Sequence, residues 1–157
     1  MMHRVRRSFS TAPLVARSFS TAPPLAIHPI HNTIHRFFHI LDGLEPEAAM
    51  SELFVADGTL HVQKAGLVLD ASDIDGWVAT MRGMWDGKST LHTEGNIVIQ
   101  EPEAGLIVSH STWSAFVGGS LSSYGTHADV LKNVSGSGGE AQWKFQRRVV
   151  RHLYSVA

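Results

Sequence analysis

Apolar positions recur along this chain with one period in its first half and another in its second. Ile27, Ile30, Ile34, Phe37, Phe38 and Leu41 fall on one stripe at 3.6-residue spacing, which predicts a helix over Ile27–Leu41. Pro29 sits in its first turn, where a missing N–H costs nothing, and Gly43 stops it. Glu45–Phe54 reads as a short second helix, with Pro46 at its start, acids in its first turn, and Ala49, Leu53 and Phe54 on its buried edge. Asp57-Gly58 reads as a turn, Thr59–Gln63 as a strand, and Gly66–Leu69 as a brief returning strand. Ser72 or Asp73 caps a third helix that runs to about Trp85 and buries Ile74, Trp77, Val78 and Met81.

Long strands follow. Thr90–Gln100 and Leu106–Val117 are joined by a hairpin-type loop, Glu101–Gly105. Ser120–Val134 and Gln142–Ser155 are joined by the flexible Ser135–Glu140. Helices first and a meander of strands afterwards is the pattern of an α+β domain, with helices on one face of a curved antiparallel sheet. A sheet bent round a helix leaves a cavity open at one end, where small ligands bind. One strand carries an internal conflict. Strict alternation groups His92 with Thr90, Glu94, Asn96 and Val98, and places Leu91, Thr93, Gly95, Ile97 and Ile99 opposite. The His92 side is then either a polar pocket or plain solvent, unless a bulge switches faces midway.

The 157 residues make one domain large enough to bury a core, and no apolar run reaches the length of a membrane-spanning helix. With no cysteine, disulfides, thiolate catalysis and Cys-ligated zinc are excluded. The net charge of −1 hides a split. Residues 1–26 hold Arg4, Arg6, Arg7 and Arg17 and no acid, while the remainder carries nine Lys and Arg against fourteen Asp and Glu. An acidic body argues against nucleic acid as a partner. The Arg- and Ser-rich segment 1–26 has the composition of a transit peptide, which is excluded from the fold, leaving 27–157 as the domain. Its heptapeptide RSFSTAP occurs at Arg7–Pro13 and again at Arg17–Pro23, each copy resembling a mitochondrial processing site. The expected location is the mitochondrial matrix, with a plastid as the alternative.

Chemistry is carried by the ten histidines. His92, His110 and His127 each lie near the middle of a different long strand, with Asp129 two residues after His127. Two neutral imidazoles round one small pocket suit proton transfer near neutral pH, since one can accept while the other donates. The bland alternative is a set of partly exposed sheet histidines. His28, His31, His35 and His39 form a second stripe on the first helix. Pairs at i, i+4 can chelate zinc, but no carboxylate shares the stripe and no HExxH occurs, so no metal is expected. His35 or His39 could instead reach a pocket mouth. Asp57 and Asp42 read as structural turn acids, Arg148 as a salt-bridge partner within the sheet, and Trp77, Trp85, Trp113 and Trp143 as core or pocket wall. The glycine-rich stretches lack the Lys and Ser/Thr of a phosphate loop, and Ser109, Ser111 and Ser114 lack a nucleophile elbow.

Two stretches frame the domain: Asp42–Val62 (DGLEPEAAMSELFVADGTLHV) and Trp143–Val150 (WKFQRRVV). Together they resemble the SnoaL-like branch of the NTF2-like α+β cone proteins, over Ile34 to about Val150. Within that group the long strands are similar to those of scytalone-dehydratase-type enzymes. The resemblance implies a cone enclosing a pocket for a small, largely apolar molecule, and dehydration or double-bond isomerisation without a cofactor. It implies His92 and His110 as the proton-transfer pair, and His127 and Asp129 as groups orienting substrate or water. Phe38 and Trp113 would line the pocket. The two tyrosines that position water in those enzymes are not reproduced; Phe38 stands at the helix position, with His39 beside it where an acid is expected. The same fold also serves as a ligand carrier or an accessory subunit of a mitochondrial assembly, and homodimerisation through the open sheet face is implied as well.

Overall fold

The computed structural model describes residues 27–85, 87–135 and 141–155. The segment read as a transit peptide, residues 1–26, and most of the glycine-rich connection lie outside the described residues. Helix α1 (Ile27–Leu41) forms where the apolar stripe places it. Ile30, Ile34, Phe37, Phe38 and Leu41 of that stripe are buried, and the Thr33 hydroxyl donates to the Trp143 carbonyl at 2.8 Å, fastening the helix to the sheet. Gly43 takes φ 77°, and the Gly43 and Leu44 N–H groups return to the Ile40 and His39 carbonyls. These paired bonds are a Schellman end, which only a residue at ease with positive φ makes cheaply. The last residue before that glycine is Asp42.

No continuous helix forms over Glu45–Phe54. Two 3-10 turns, Glu47–Ala49 and Ser51–Leu53, cover the segment, and Phe54 opens strand β1 (Phe54–Val62). Phe54 is drawn into extended conformation because it pairs with Phe145 across the sheet, ring against ring at 5.2 Å. Asp57-Gly58 is likewise not a turn. It lies inside β1, where the register against the last strand slips between Phe54 and Thr59. A Cβ on Gly58 would meet the Val55 and Phe145 carbonyl oxygens at 2.8 and 2.9 Å, so the bulge needs a residue without one.

Strand β2 (Leu67–Asp70), helix α2 (Ile74–Met84) and strands β3 (Thr90–Glu103), β4 (Leu106–Val117), β5 (Ser120–Asn133) and β6 (Trp143–Ser155) complete the element order. The sheet order is β2-β1-β6-β5-β4-β3. All neighbours are antiparallel except β1 and β6, which run parallel, so the sheet is mixed. Register slips in the β3–β4, β4–β5 and β5–β6 pairings bend it round α1. Phe37, Leu60, Ile107, Leu131 and Phe145 fill the space between helix and concave face, each at most 1% exposed. Each such side chain contributes roughly 1.5–3 kcal/mol on leaving water. This is an α+β cone.

One slip resolves the conflict within β3. Between Gly95 and Val98 the strand carries an extra residue, and Asn96 takes φ 50°. Before the bulge His92 and Glu94 turn inward; after it Ile97 and Ile99 do, and pack on the core. Leu91 and Val98 face outward at 56% and 54% exposure.

Candidate active site

The cone encloses a cavity of about 440 Å³ at its open end. Its wall is largely aromatic: Phe37 and Phe38 from α1, Trp77 from α2, Trp85 just beyond it, and Trp113 from β4. Its polar points are the imidazoles of His92, His127 and His152, together with Lys64, Ser122, Ser123 and Ser155. A larger groove, about 580 Å³, lies among His110, Thr112, Val130, Arg147 and Arg151. His127 and Asp129 also border that groove, but His92 and the aromatic side chains Phe37, Phe38, Trp77, Trp85 and Trp113 line only the cone cavity.

His92 is held by Asp42. Asp42 Oδ1 lies 2.6 Å from His92 Nδ1, and Oδ2 accepts the His92 backbone N–H at 2.8 Å. The two side chains are 6% and 5% exposed. Burial pushes the Asp42 carboxyl up, but the hydrogen bonds from the His92 ring and backbone outweigh it and hold the group below its ordinary value. The ionised carboxylate therefore accepts from Nδ1–H, and in the neutral ring Nε2 keeps its lone pair. The ring stacks flat on Phe38 at 5.2 Å and tilts against Trp85 at 5.7 Å. The arrangement is an imidazole oriented by a carboxylate and set in an apolar wall.

Behind the cavity lies a second cluster. His127 stacks on Trp113 at 5.8 Å and tilts over Phe38 at 5.4 Å, so both imidazoles lie against the Phe38 ring. His127 Nδ1 lies 3.0 Å from Glu94 Oε1 and within hydrogen-bond reach of Arg148 Nη2. Ser111 Oγ donates to the same Glu94 oxygen, and Arg148 Nη2 approaches it at 3.4 Å. The Arg148 guanidinium is fully buried and lies over the Phe37 and Phe145 rings at 4.3 and 4.8 Å. Burial pushes the His127 pKa down to about 3, with the Arg148 charge adding to the fall. Burial likewise favours the neutral form of Glu94, but the His127 contact, the Arg148 charge and the Ser111 hydroxyl hold it below its ordinary value. Asp129 goes the other way: burial pushes it up to about 7, against the pull of Arg148. Its nearest approach to the guanidinium, 3.7 Å from Oδ1 to Nε, is longer than a hydrogen bond, so desolvation wins over attraction.

The expected pair His92 and His110 is not brought together. In β4 the buried residues are Ile107, Ser109, Ser111, Trp113 and Ala115, so His110 falls on the opposite face and is exposed. His127, Phe38 and Trp113 do line the cavity with His92. Asp129 is buried beside Arg148 and does not line it, and His39 is exposed on α1, 3.9 Å from Glu45. On the helix stripe His31 and His35 stack at 6.1 Å; among the described residues no three metal-ligating side chains converge. Asp42 and Glu94 were the residues missed. A carboxylate at the C-terminal end of a helix opposes the helix dipole, which marks Asp42 as held by something else. Glu94 shares a strand face with His92 by simple alternation.

The model of the SnoaL-like domain family matches residues 25–149. Solved structures that match share the fold at low identity. A scytalone dehydratase-like protein of Novosphingobium aromaticivorans has a TM-score of 0.64 at 22% identity, covering 83% of this chain and 85% of that one. The Aln2 protein of a Streptomyces species has a TM-score of 0.70 at 20% identity, covering 83% and 92%. The hexachlorocyclohexane dehydrochlorinase of Novosphingobium barchaimii has a TM-score of 0.65 at 13% identity, covering 83% and 88%. No curated protein matches the sequence. A helix-wrapped mixed sheet, the aromatic cavity it encloses and a family match over most of the length agree: the chain belongs to the SnoaL-like domain family.

Proposed function

We propose that this chain is a cofactor-free lyase or isomerase that removes a proton from carbon in a small, largely apolar ring substrate. The observation that carries the reading is the buried Asp42–His92 dyad set in the aromatic wall of the cavity. His92 Nε2 takes the C–H proton, and the Asp42 carboxylate stabilises the imidazolium that forms. In a dehydration the C–H electron pair becomes the new C=C bond, and the leaving hydroxide takes the proton back from His92 as water. In an isomerisation the proton returns to a different carbon. The dehydratase-like and dehydrochlorinase neighbours support elimination as the reaction class. A mitochondrial matrix site of action rests on the two RSFSTAP copies alone.

Exchange of α-protons of cyclohexanone and 2-cyclohexenone in D2O, followed by ¹H NMR, tests the base without requiring a leaving group. Exchange by the full chain, lowered at least about 100-fold in Asp42→Asn and His92→Gln and retained in His110→Ala, is the expected result. Exchange no faster than in those two variants would overturn the catalytic reading. Ketone binding without exchange would leave the second reading, a ligand-binding module, which the aromatic wall and a volume within the small-molecule range favour.

A further inference from the structure

The two cavity imidazoles are held by opposite kinds of partner. His92 Nδ1 faces a carboxylate alone, which can only accept; His127 Nδ1 faces Glu94 Oε1 at 3.0 Å and, at shorter range, the Arg148 guanidinium, which can only donate. An Nδ1–H on His127 would point at the hydrogens of Arg148 Nη2, so that nitrogen presents its lone pair. The neutral ring then carries its proton on Nε2. Neutrality follows from the surroundings, since burial and the adjacent guanidinium both disfavour an imidazolium. Glu94 does not reverse the choice, because its Oε1 already takes the Ser111 hydroxyl and an Arg148 N–H. Nε2 of His127 has no hydrogen-bond partner among the described residues and is not sealed off, and the ring lines the cavity.

We infer that His127 is locked as the Nε2–H tautomer by Arg148 and donates a hydrogen bond into the cavity, to a neutral acceptor such as a ring carbonyl oxygen. The inference rests on the reading of the cavity as a proton-abstraction site and narrows its substrate class. A C–H beside a carbonyl becomes acidic because the carbonyl oxygen takes up the charge. His92, whose Nε2 is the acceptor, and His127, whose Nε2–H is the donor, line one cavity with Phe38, so the chemistry matches a cyclic ketone: proton to His92, enolate oxygen to His127. The cation behind His127 strengthens that donor without itself reaching the cavity. A neutral imidazole is a competent donor to a developing enolate.

Two observables test it. In ¹⁵N-histidine-labelled full chain, long-range ¹H–¹⁵N spectra should show His127 with a pyridine-type Nδ1 and a pyrrole-type Nε2. Arg148→Met should reverse that assignment, freeing Nδ1–H to donate to Glu94. The second observable is binding of 4-fluoroacetophenone against 1-ethyl-4-fluorobenzene, read by ¹⁹F titration. The ketone should bind about 2- to 10-fold more tightly, the range of one net hydrogen bond. His127→Phe should abolish the difference by weakening the ketone alone, while His127→Gln, whose amide N–H replaces Nε2–H, should keep part of it. The opposite tautomer in wild type, or equal binding of the two probes, overturns the inference whether or not any variant folds. The correct tautomer and ketone preference without α-proton exchange would leave the donor subsite standing and sink only the catalytic reading.

Discussion

Asp129→Asn should make stability fall more steeply on acidification than it does in the wild type. In the native chain the Asp129 carboxyl is protonated below about 7, whereas unfolded it stays ionised down to 3.8. Folding therefore takes up a proton between those values. The contribution is fully present below 3.8 and is lost as pH rises through about 7. His127 has the opposite sign. Its native ring stays neutral to about 3, whereas unfolded it protonates at 6.5, so its contribution is present above 6.5 and is lost as pH falls towards 3. Each group gives a slope of about 1.4 kcal/mol per pH unit, and between 3.8 and 6.5 the two cancel. An asparagine, fixed in the uncharged form, leaves the His127 slope exposed. From pH 6.5 to 4.5 the variant should lose about 3 kcal/mol relative to wild type. Both groups are almost wholly buried, so solvent screening does not dilute the figure. Urea unfolding at closely spaced pH values, followed by the fluorescence of buried Trp113 and Trp143, reads it directly. Parallel curves for wild type and variant would mean that Asp129 is ionised in the native cluster, and that Arg148 overcomes desolvation after all.

Three further perturbations follow from local geometry. Gly125→Ala should cost at least about 3 kcal/mol in urea unfolding, because its Cβ would lie 1.8 Å from the Arg151 carbonyl oxygen and force β5 from β6; a loss below about 1 kcal/mol would show that the strands yield there. Asn96→Val should cost about 1–2 kcal/mol, since a β-branched side chain is placed at φ 50°, whereas Asn96→Gly should be near neutral. Arg148→Met leaves Glu94 buried without its cation and should cost about 3–5 kcal/mol, most of which Arg148→Met/Glu94→Gln should restore. Additive losses in that double variant would show that the two groups are not energetically coupled.

Local signals carried what local physics decides. The α1 stripe and the Gly43 stop were legible because helix periodicity and a glycine stop are written within a few residues; α2 begins right after Asp73, but Ser72 and Asp73 lie in a 3-10 turn and Asp73 makes no side-chain capping bond. The misreadings all depend on a distant partner. Phe54 reads as helix until Phe145 pulls it into a strand, and Gly58 reads as a turn until the Phe145 carbonyl is seen against it. Strand parity explains the candidate site in the same way. In β4 the sets Ile107, Ser109, Trp113 and Val108, His110, Phe116 are about equally apolar, so alternation alone could not tell which faced inward. In β3 the polar set is the inward one only up to Asn96, and a single left-handed residue reverses it. His127 and His92 were visible as strand histidines; their joining in one cavity, and the Asp42 that orients one of them, depend on helix-to-sheet packing.

The buried charges make little sense as a stabilising device. Arg148 has no hydrogen-bond partner for Nε or Nη1 among the described residues, Glu94 Oε2 is likewise unpaired, and Asp129 is driven towards neutrality. Phe37 and Phe145 offer ring faces in place of oxygens, a weaker exchange than the hydration the guanidinium gives up. Apolar residues of the same volume would fill this space at no greater cost. What they could not do is hold an imidazole neutral with its proton on one chosen nitrogen. The cluster behind the wall is therefore best understood through His127, as the dyad is through His92. One ring is turned into an acceptor by a carboxylate and the other into a donor by a guanidinium, and both rest on the Phe38 ring.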